Sequence, residues 1–374
     1  MKPFRIDVPQ ADLDDLAQRL DRTRWSDELP GAGSSMGIPQ ARVRELTLRW
    51  RTGYDWRAQE AAINAWDQFS TTIDGTNVHF LHVRSAEPGA LPLVLTHGWP
   101  GSVVEFLDVL GPLTDPRRYG GDPADAFHVV VPSIPGFGFS GPTTEPGWDF
   151  LRVARAWAEL MRRLGYERYG AQGGDWGTGV SRALAAAAPE HVVGVHLNYL
   201  PTPPPTDPAL LDGLGAEDLA RLERTRRYLA EPFGHLRLQS TRPQTLGYAL
   251  ADSPVGQLAW IAEKFTEWAD PASTIDDDRL LTDVMLYWIT GTAASSSRLH
   301  FESAANRTVP ISFPAPVGVA VLPHDLVLPV RRLAERAYTI THWTEFDRGG
   351  HFAALEVPGA LTEDVRAFFH PLRG

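Results

Sequence analysis

Asp175, in Gly173-Gly174-Asp175-Trp176-Gly177, is the side chain in this sequence best placed to act as a nucleophile. Small residues on both flanks let a strand turn sharply into a helix and hold one side chain up over the bend. A carboxylate held there forms an ester with a carbon electrophile, which points to opening an epoxide or displacing a halide rather than cutting a peptide. Its flanks fit the motif, because Tyr169-Gly170-Ala171-Gln172 reads as a short strand and Gly177 to Ala188 as an alanine-rich helix stopped by Pro189.

An aspartyl ester is a dead end unless a base activates water, and histidine is the natural base near neutral pH. His351, in Arg348-Gly349-Gly350-His351-Phe352, falls in a loop after the last expected strand and before a helix. The base needs an acid to fix its tautomer and stabilise its cation. Asp325 follows the expected strand Val317 to Leu322 and is preferred to Glu345 and Asp347, which lie on or just after the strand leading to His351 and are expected to face solvent. His97-Gly98-Trp99-Pro100 follows an inner strand, where loops line the pocket of a parallel sheet. Amide N–H groups of Trp99 and Trp176 are therefore expected to form an oxyanion hole when water attacks the ester.

The elements that must carry these groups alternate along the chain. Thr71-Thr72-Ile73, Asp74-Gly75 and Asn77 to Val83 form a hairpin signal. Leu91 to Thr96, Phe127 to Pro132 and Val192 to Leu200 read as buried strands, with one helix after the first, to about Leu113, and another over Trp148 to Leu164. Such units imply an α/β fold with a mostly parallel central sheet covered by helices on both faces. Residues 4 to about 70 read as helical pieces, in which the tryptophans at 25, 50, 56 and 66 serve packing. Pro201-Thr202-Pro203-Pro204-Pro205 then breaks the pattern, and residues 206 to about 305 read as helical. Val317 to Leu322 and Ile340 to Phe346 restore strands, and a last helix runs from Pro358 to about Phe369. The expected division is 1–90 for an N-terminal segment with the first hairpin, 91–200 and 310–374 for the two parts of the core, and 201–309 for a helical lid.

Composition excludes several classes of function. The chain has 374 residues, no cysteine and a net charge of -11, so a thiolate site is ruled out and a nucleic-acid partner is disfavoured. No run of eighteen apolar residues or apolar leader occurs, so the expectation is a cytoplasmic protein without a membrane partner. No residue pattern calls for a cofactor or a metal, and a homo-oligomer is left open.

With these residues in hand, the chain resembles the microsomal-type epoxide hydrolases of the α/β-hydrolase fold over nearly its whole length. The likeness rests on Phe4-Arg5-Ile6 and Trp25, His97-Gly98-Trp99-Pro100-Gly101-Ser102, Pro132-Ser133-Ile134-Pro135-Gly136-Phe137-Gly138, the Asp175 elbow, Asp252-Ser253-Pro254-Val255-Gly256, Met285-Leu286-Tyr287-Trp288 and the His351 loop. It implies Asp175 as nucleophile, His351 as base, Asp325 as acid, and an epoxide and water as the partners in the reaction. The resemblance also implies two lid tyrosines that donate to the epoxide oxygen, in segments matching Gly234 to Gln239 and Ser297 to Glu302. Both positions carry histidine here, His235 and His300. Imidazolium would supply the proton and shift activity to lower pH, whereas Tyr228, Tyr248 and Tyr287 are the alternative donors. Trp99, Trp148, Trp176, Phe139, Trp260 and Tyr248 are candidates for an apolar pocket that suits an aromatic or lipophilic substrate.

Two other readings share these residues. A hydrolytic dehalogenase uses the same Asp-His-Asp set and needs no lid tyrosine, because halide leaves unprotonated. A ligand-binding descendant of the enzyme would explain the histidines as lost chemistry.

Overall fold

The computed structural model describes residues 1–230, 234–306 and 311–373. The expected boundary at 309/310 therefore lies outside the described residues. Nine strands form one sheet in the order β1-β2-β3-β5-β4-β6-β7-β8-β9. They are β1 (Lys2–Phe4), β2 (Gln68–Ile73), β3 (Thr76–Val83), β4 (Leu91–Thr96), β5 (Phe127–Pro132), β6 (Tyr169–Gly173), β7 (Val192–Leu197), β8 (Val317–Val321) and β9 (Ile340–Glu345). Pairing is antiparallel from β1 to β5 along the sheet and parallel from β5 to β9.

Strand alternation divides the core. Leu93, Leu95, Val129 and Val131 point to one buried cluster, and their neighbours Val94 and Val130 to the other. The first face is covered by the helices Leu107–Thr114 and Pro358–Phe369, the second by Phe150–Arg163 and Trp176–Ala187. Trp157 is fully buried on the second face and donates its indole N–H to Thr96 Oγ1 at 3.1 Å. A tryptophan removes roughly 150–250 Å² from water, worth about 4–6 kcal/mol before entropy is counted. That contact stiffens the end of β4, from which the His97 loop departs.

The N-terminal segment joins the same sheet. Asp74 and Gly75 both take positive φ, 48° and 76°, in the tight turn between β2 and β3. β1 adds at the edge through Pro3 opposite Phe69. Three residues are too short for alternation to reveal, and the sequence does not announce this strand. Trp50 and Trp56 are buried in the core, as their packing role requires.

Between β7 and β8 the described residues hold the helices Ala216–Ala230, Gly234–Thr241, Pro243–Asp252, Pro254–Trp268, Asp277–Thr290 and Ala293–Ser303. Ser253 caps one of them by accepting from Gly256 N at 2.9 Å, with Pro254 in the first turn, which accounts for the Ser-Pro-Val-Gly motif. Phe265, Trp268, Leu281 and Met285 share the buried cluster of the second sheet face. Tyr287 Oη donates to Gly101 O at 2.7 Å, and Ser295 Oγ to Gly136 O at 2.5 Å. These bonds fasten the helices to the loops at the carboxyl ends of β4 and β5.

Candidate active site

Asp175 sits at the junction of β6 and the helix Trp176–Ala187 with φ 47° and ψ -124°, a strained geometry for a residue bearing a side chain. Glycine is required around it by close approach. A Cβ on Gly173 would lie 2.4 Å from Gly177 C, and one on Gly177 would lie 2.0 Å from Thr96 O. On Gly98 it would meet Asp175 Cβ at 2.3 Å, so the His97 loop rests directly on the aspartate.

The two oxygens of this carboxylate have different neighbours. Oδ1 accepts from Trp99 N at 2.8 Å, and the Trp176 backbone N–H also donates to the carboxylate. Oδ2 lies 3.5 Å from His351 Nε2. On the far side of the imidazole, Nδ1 lies 2.7 Å from Asp325 Oδ1, and the buried Asp325 carboxylate also accepts from Leu326 N at 2.7 Å. Nδ1 therefore carries the proton, and Nε2 faces Asp175. Glu345 and Asp347 are exposed, with Glu345 paired to Arg221 at 2.8 Å.

The His351 loop lies against the end of the helix Pro254–Trp268. His351 N donates to Trp268 O at 2.9 Å, and a Cβ on Gly350 would lie 2.6 Å from that same oxygen. Glu356 gathers Asp270 N, Gly350 N and Phe352 N at 2.7–2.9 Å. Glu356 and Trp268 were not singled out by sequence reasoning. The signals that could have found them are a glutamate four residues after Phe352 and a tryptophan eight residues beyond Trp260 on one helix.

Charge follows this arrangement. Burial pushes the Asp175 carboxyl up, but His351 and the Trp99 and Trp176 amides outweigh it and hold it below the usual range. Burial likewise opposes a charged His351, yet Asp325 and Asp175 together push it up to about 10. The free site is an ion pair. His97 is brought down to about 4 by burial, and its Nε2 accepts from Ile134 N at 3.1 Å. It is a neutral strut between two loops.

Above Asp175 the helices supply aromatic rings. His235 stacks on Trp99 with centroids 5.6 Å apart and packs on Trp268 at 5.0 Å. His300 meets Trp99 edge-on at 5.5 Å, while Trp176 Nε1 donates to His300 Nε2 at 3.2 Å. Gln239, whose Oε1 accepts from Ser297 Oγ at 2.7 Å, turns its amide nitrogen to the same Nε2 at 3.5 Å. Both groups converge on Nε2, with the Trp176 indole N–H as donor, so that nitrogen serves as an acceptor in this arrangement. Trp260 lies edge-on to Trp99 at 6.4 Å.

Other expected pocket residues lie elsewhere. Tyr248 is 72% exposed on the helix Pro243–Asp252, because that face of the amphipathic helix looks to solvent. Phe139 packs on Phe4 at 5.1 Å and His79 at 5.3 Å, next to the antiparallel edge. Trp148 is buried in the core beneath the Arg152 guanidinium at 4.2 Å. Tyr287 spends its hydroxyl on Gly101 O, so it is no free donor to the substrate oxygen. Tyr199, which sequence reasoning passed over, sits edge-on to His351 at 5.4 Å with its hydroxyl bonded to that of Tyr228.

The nine-strand sheet, the strained aspartate and the bound histidine define a protein of the alpha/beta hydrolase fold, and the model of that fold matches residues 92–253. The model described as the epoxide hydrolase N terminus matches residues 1–106. Epoxide hydrolase 1 of Sus scrofa is 34% identical over 98% of this chain and 88% of its own length. A Stigmatella aurantiaca protein provisionally named epoxide hydrolase is 47% identical over 99% of this chain and 85% of its own. The solved structure of Aspergillus niger epoxide hydrolase matches with TM-score 0.90 and 31% identity, covering 99% of this chain and 96% of that one. The chain belongs to the epoxide hydrolase family and is a hydrolase by class. These relatives favour neither a dehalogenase nor a non-catalytic binding protein. No helix among the described residues is long and apolar enough to cross a membrane.

Proposed function

We propose that Asp175 Oδ2 attacks an epoxide carbon as that carbon's ring C–O bond breaks and the freed oxygen takes up a proton, and that His351, oriented by Asp325, then activates water against the resulting ester. The observation that carries this reading is the unequal environment of the two carboxylate oxygens. Oδ1 accepts from the Trp99 amide, where charge collects when water adds to Cγ, and the Trp176 amide also donates to the carboxylate, while Oδ2 remains on the side of His351. Water adds to Cγ as its proton passes to Nε2. The intermediate collapses by breaking the Cγ–Oδ2 bond, and the diol oxygen leaves with that proton.

Alkylation also changes the base. The ester removes the Asp175 charge, one of the two that raise His351, so its affinity for a proton falls when a free Nε2 is needed. Water-splitting is thereby tied to formation of the ester.

For the leaving oxygen we propose His300, with His235 beside it, as the hydrogen-bond donors from the lid over 201–309. The aromatic wall of Trp99, Trp260 and Trp268 supports an apolar or aromatic epoxide. The decisive test is His351→Gln mixed with a small aryl epoxide. Intact-protein mass spectrometry should show one substrate mass added at Asp175, with turnover reduced at least about 10³-fold. Diol release at the wild-type rate without an adduct sinks the proposal.

A further inference from the structure

Behind Asp175 the structure holds a small cavity lined by Gly98, Trp99, Glu105, Asp175, Asn198 and His351, among others. Its water-accessible space is about 20 Å³, above the ~10–15 Å³ that one water requires. His351 lines it, and its buried Nε2, 3.5 Å from Asp175 Oδ2, makes no hydrogen bond. The role of Glu105 in this cavity is not accounted for by the nucleophile, base, acid or amides.

We propose that Glu105 is a positioning residue for the hydrolytic water, holding it between its own carboxyl and His351 Nε2 so that the water oxygen faces Asp175 Cγ. This rests on the Asp175–His351 reading above. Glu105 enters the cavity beneath Gly101, where a Cβ would lie 1.2 Å from its Oε1, so glycine in the His-Gly-Trp-Pro-Gly-Ser motif makes room for this carboxyl. The Ser102 backbone N–H donates to it. Burial, with Asp283 on the helix Asp277–Thr290 and Asp175 on the elbow, drives it toward the neutral acid, opposed by His351. Asp283 is itself pushed up to about 7 by burial, against the bond from Ser102 Oγ.

A neutral carboxyl suits the task. Its carbonyl oxygen accepts one water hydrogen while Nε2 takes the other, which turns a lone pair of the water toward Cγ. A carboxylate here would compete with Asp175 for the imidazolium. The balance of the step is unchanged: one O–Cγ bond forms, one proton moves to His351, and Glu105 neither gains nor loses a proton.

The test separates the two half-reactions in rapid-quench mass spectrometry with a small aryl epoxide. In Glu105→Asp the carboxyl withdraws by about 1.5 Å. Ester formation should stay within about threefold of wild type while ester hydrolysis slows about 10²-fold, the scale of a misplaced reactant. Glu105→Gln, a neutral isostere, should keep hydrolysis within about tenfold, the scale of one neutral hydrogen bond. Gly101→Ala displaces the same carboxyl and should also retard hydrolysis selectively, which covers the case in which Glu105→Asp does not fold. Wild-type hydrolysis in Glu105→Asp and Gly101→Ala, equal slowing of both steps, or a Gln variant as slow as the Asp variant would each overturn the proposal. Absence of any ester in the wild type would instead defeat the reading of Asp175, a result distinguishable from all of these.

Discussion

The loops at the carboxyl ends of β4, β6 and β8 and the helices that cover them hold their polar groups in different ways. In the loops, backbone fixes the chemistry: two amides grip Asp175, and carbonyl oxygens lie where a Cβ would otherwise sit. In the helices, side chains hold side chains, as Trp176, Gln239 and Ser297 hold His300. Positions of the first kind tolerate little besides glycine. Those of the second depend on a few neighbouring side chains agreeing, so the lid can change the groups it presents without disturbing the nucleophile.

The largest effect that would test this contrast is steric. Gly177→Ala puts a methyl 2.0 Å from a backbone oxygen and should cost about 3 kcal/mol or more, read by urea unfolding. Gly234→Ala, at the start of a covering helix, meets nothing within 4 Å among the described residues and should shift stability by less than about 1 kcal/mol, toward greater stability. Similar costs at the two positions would remove the distinction.

The second effect is electrostatic and belongs to the loops. His351 has its folded pKa raised to about 10, against an unfolded value of ~6.5. Its contribution is therefore fully present below the unfolded value and is lost as pH rises through the folded one. Wild-type Tm should fall between about pH 6.5 and 10 more steeply than that of His351→Gln. Parallel Tm curves for the two proteins would show that the ion pair with Asp175 and Asp325 is not what holds this loop.

The same contrast explains what could be read from the sequence. Strands β4, β5, β7 and β8 were legible as apolar runs, and Asp175, His351 and Asp325 as residues that follow strands; the structure brings these three side chains together. Their positions are set by backbone, and backbone demands leave glycines behind. Aromatic side chains leave no such mark: Phe139 and Trp148 have the composition of a pocket but face the sheet edge and the core. Trp268 and Tyr199 have the same composition and touch His351. Which face a ring presents is decided by tertiary packing, and local pattern carries no record of it.

A third effect lies in the helices. His300→Phe keeps a ring but removes the acceptor for Trp176 Nε1 and the Gln239 amide, which should cost about 1–3 kcal/mol for buried donors left unmet. Ester formation should slow while hydrolysis of an ester already formed changes little, since the donor acts on the leaving oxygen of the first step. A selective loss of the hydrolytic step would move His300 out of that role and into the circle of His351.

The smallest effect probes the outer limit of the site. Tyr248 lies on a covering helix, yet it is 72% exposed, whereas Trp260 on the next helix packs edge-on to Trp99. A hydroxyl pointing into water lies apart from the aromatic wall of Trp99, Trp260 and Trp268. Tyr248→Ala should therefore alter stability by less than about 0.5 kcal/mol, as surface changes do. Its kcat/KM with an aryl epoxide should stay within about twofold, which is less than the difference made by one neutral hydrogen bond. A tenfold loss would mean that the covering helices move inward when substrate binds, and the exposed face of Pro243–Asp252 would then count as part of the pocket.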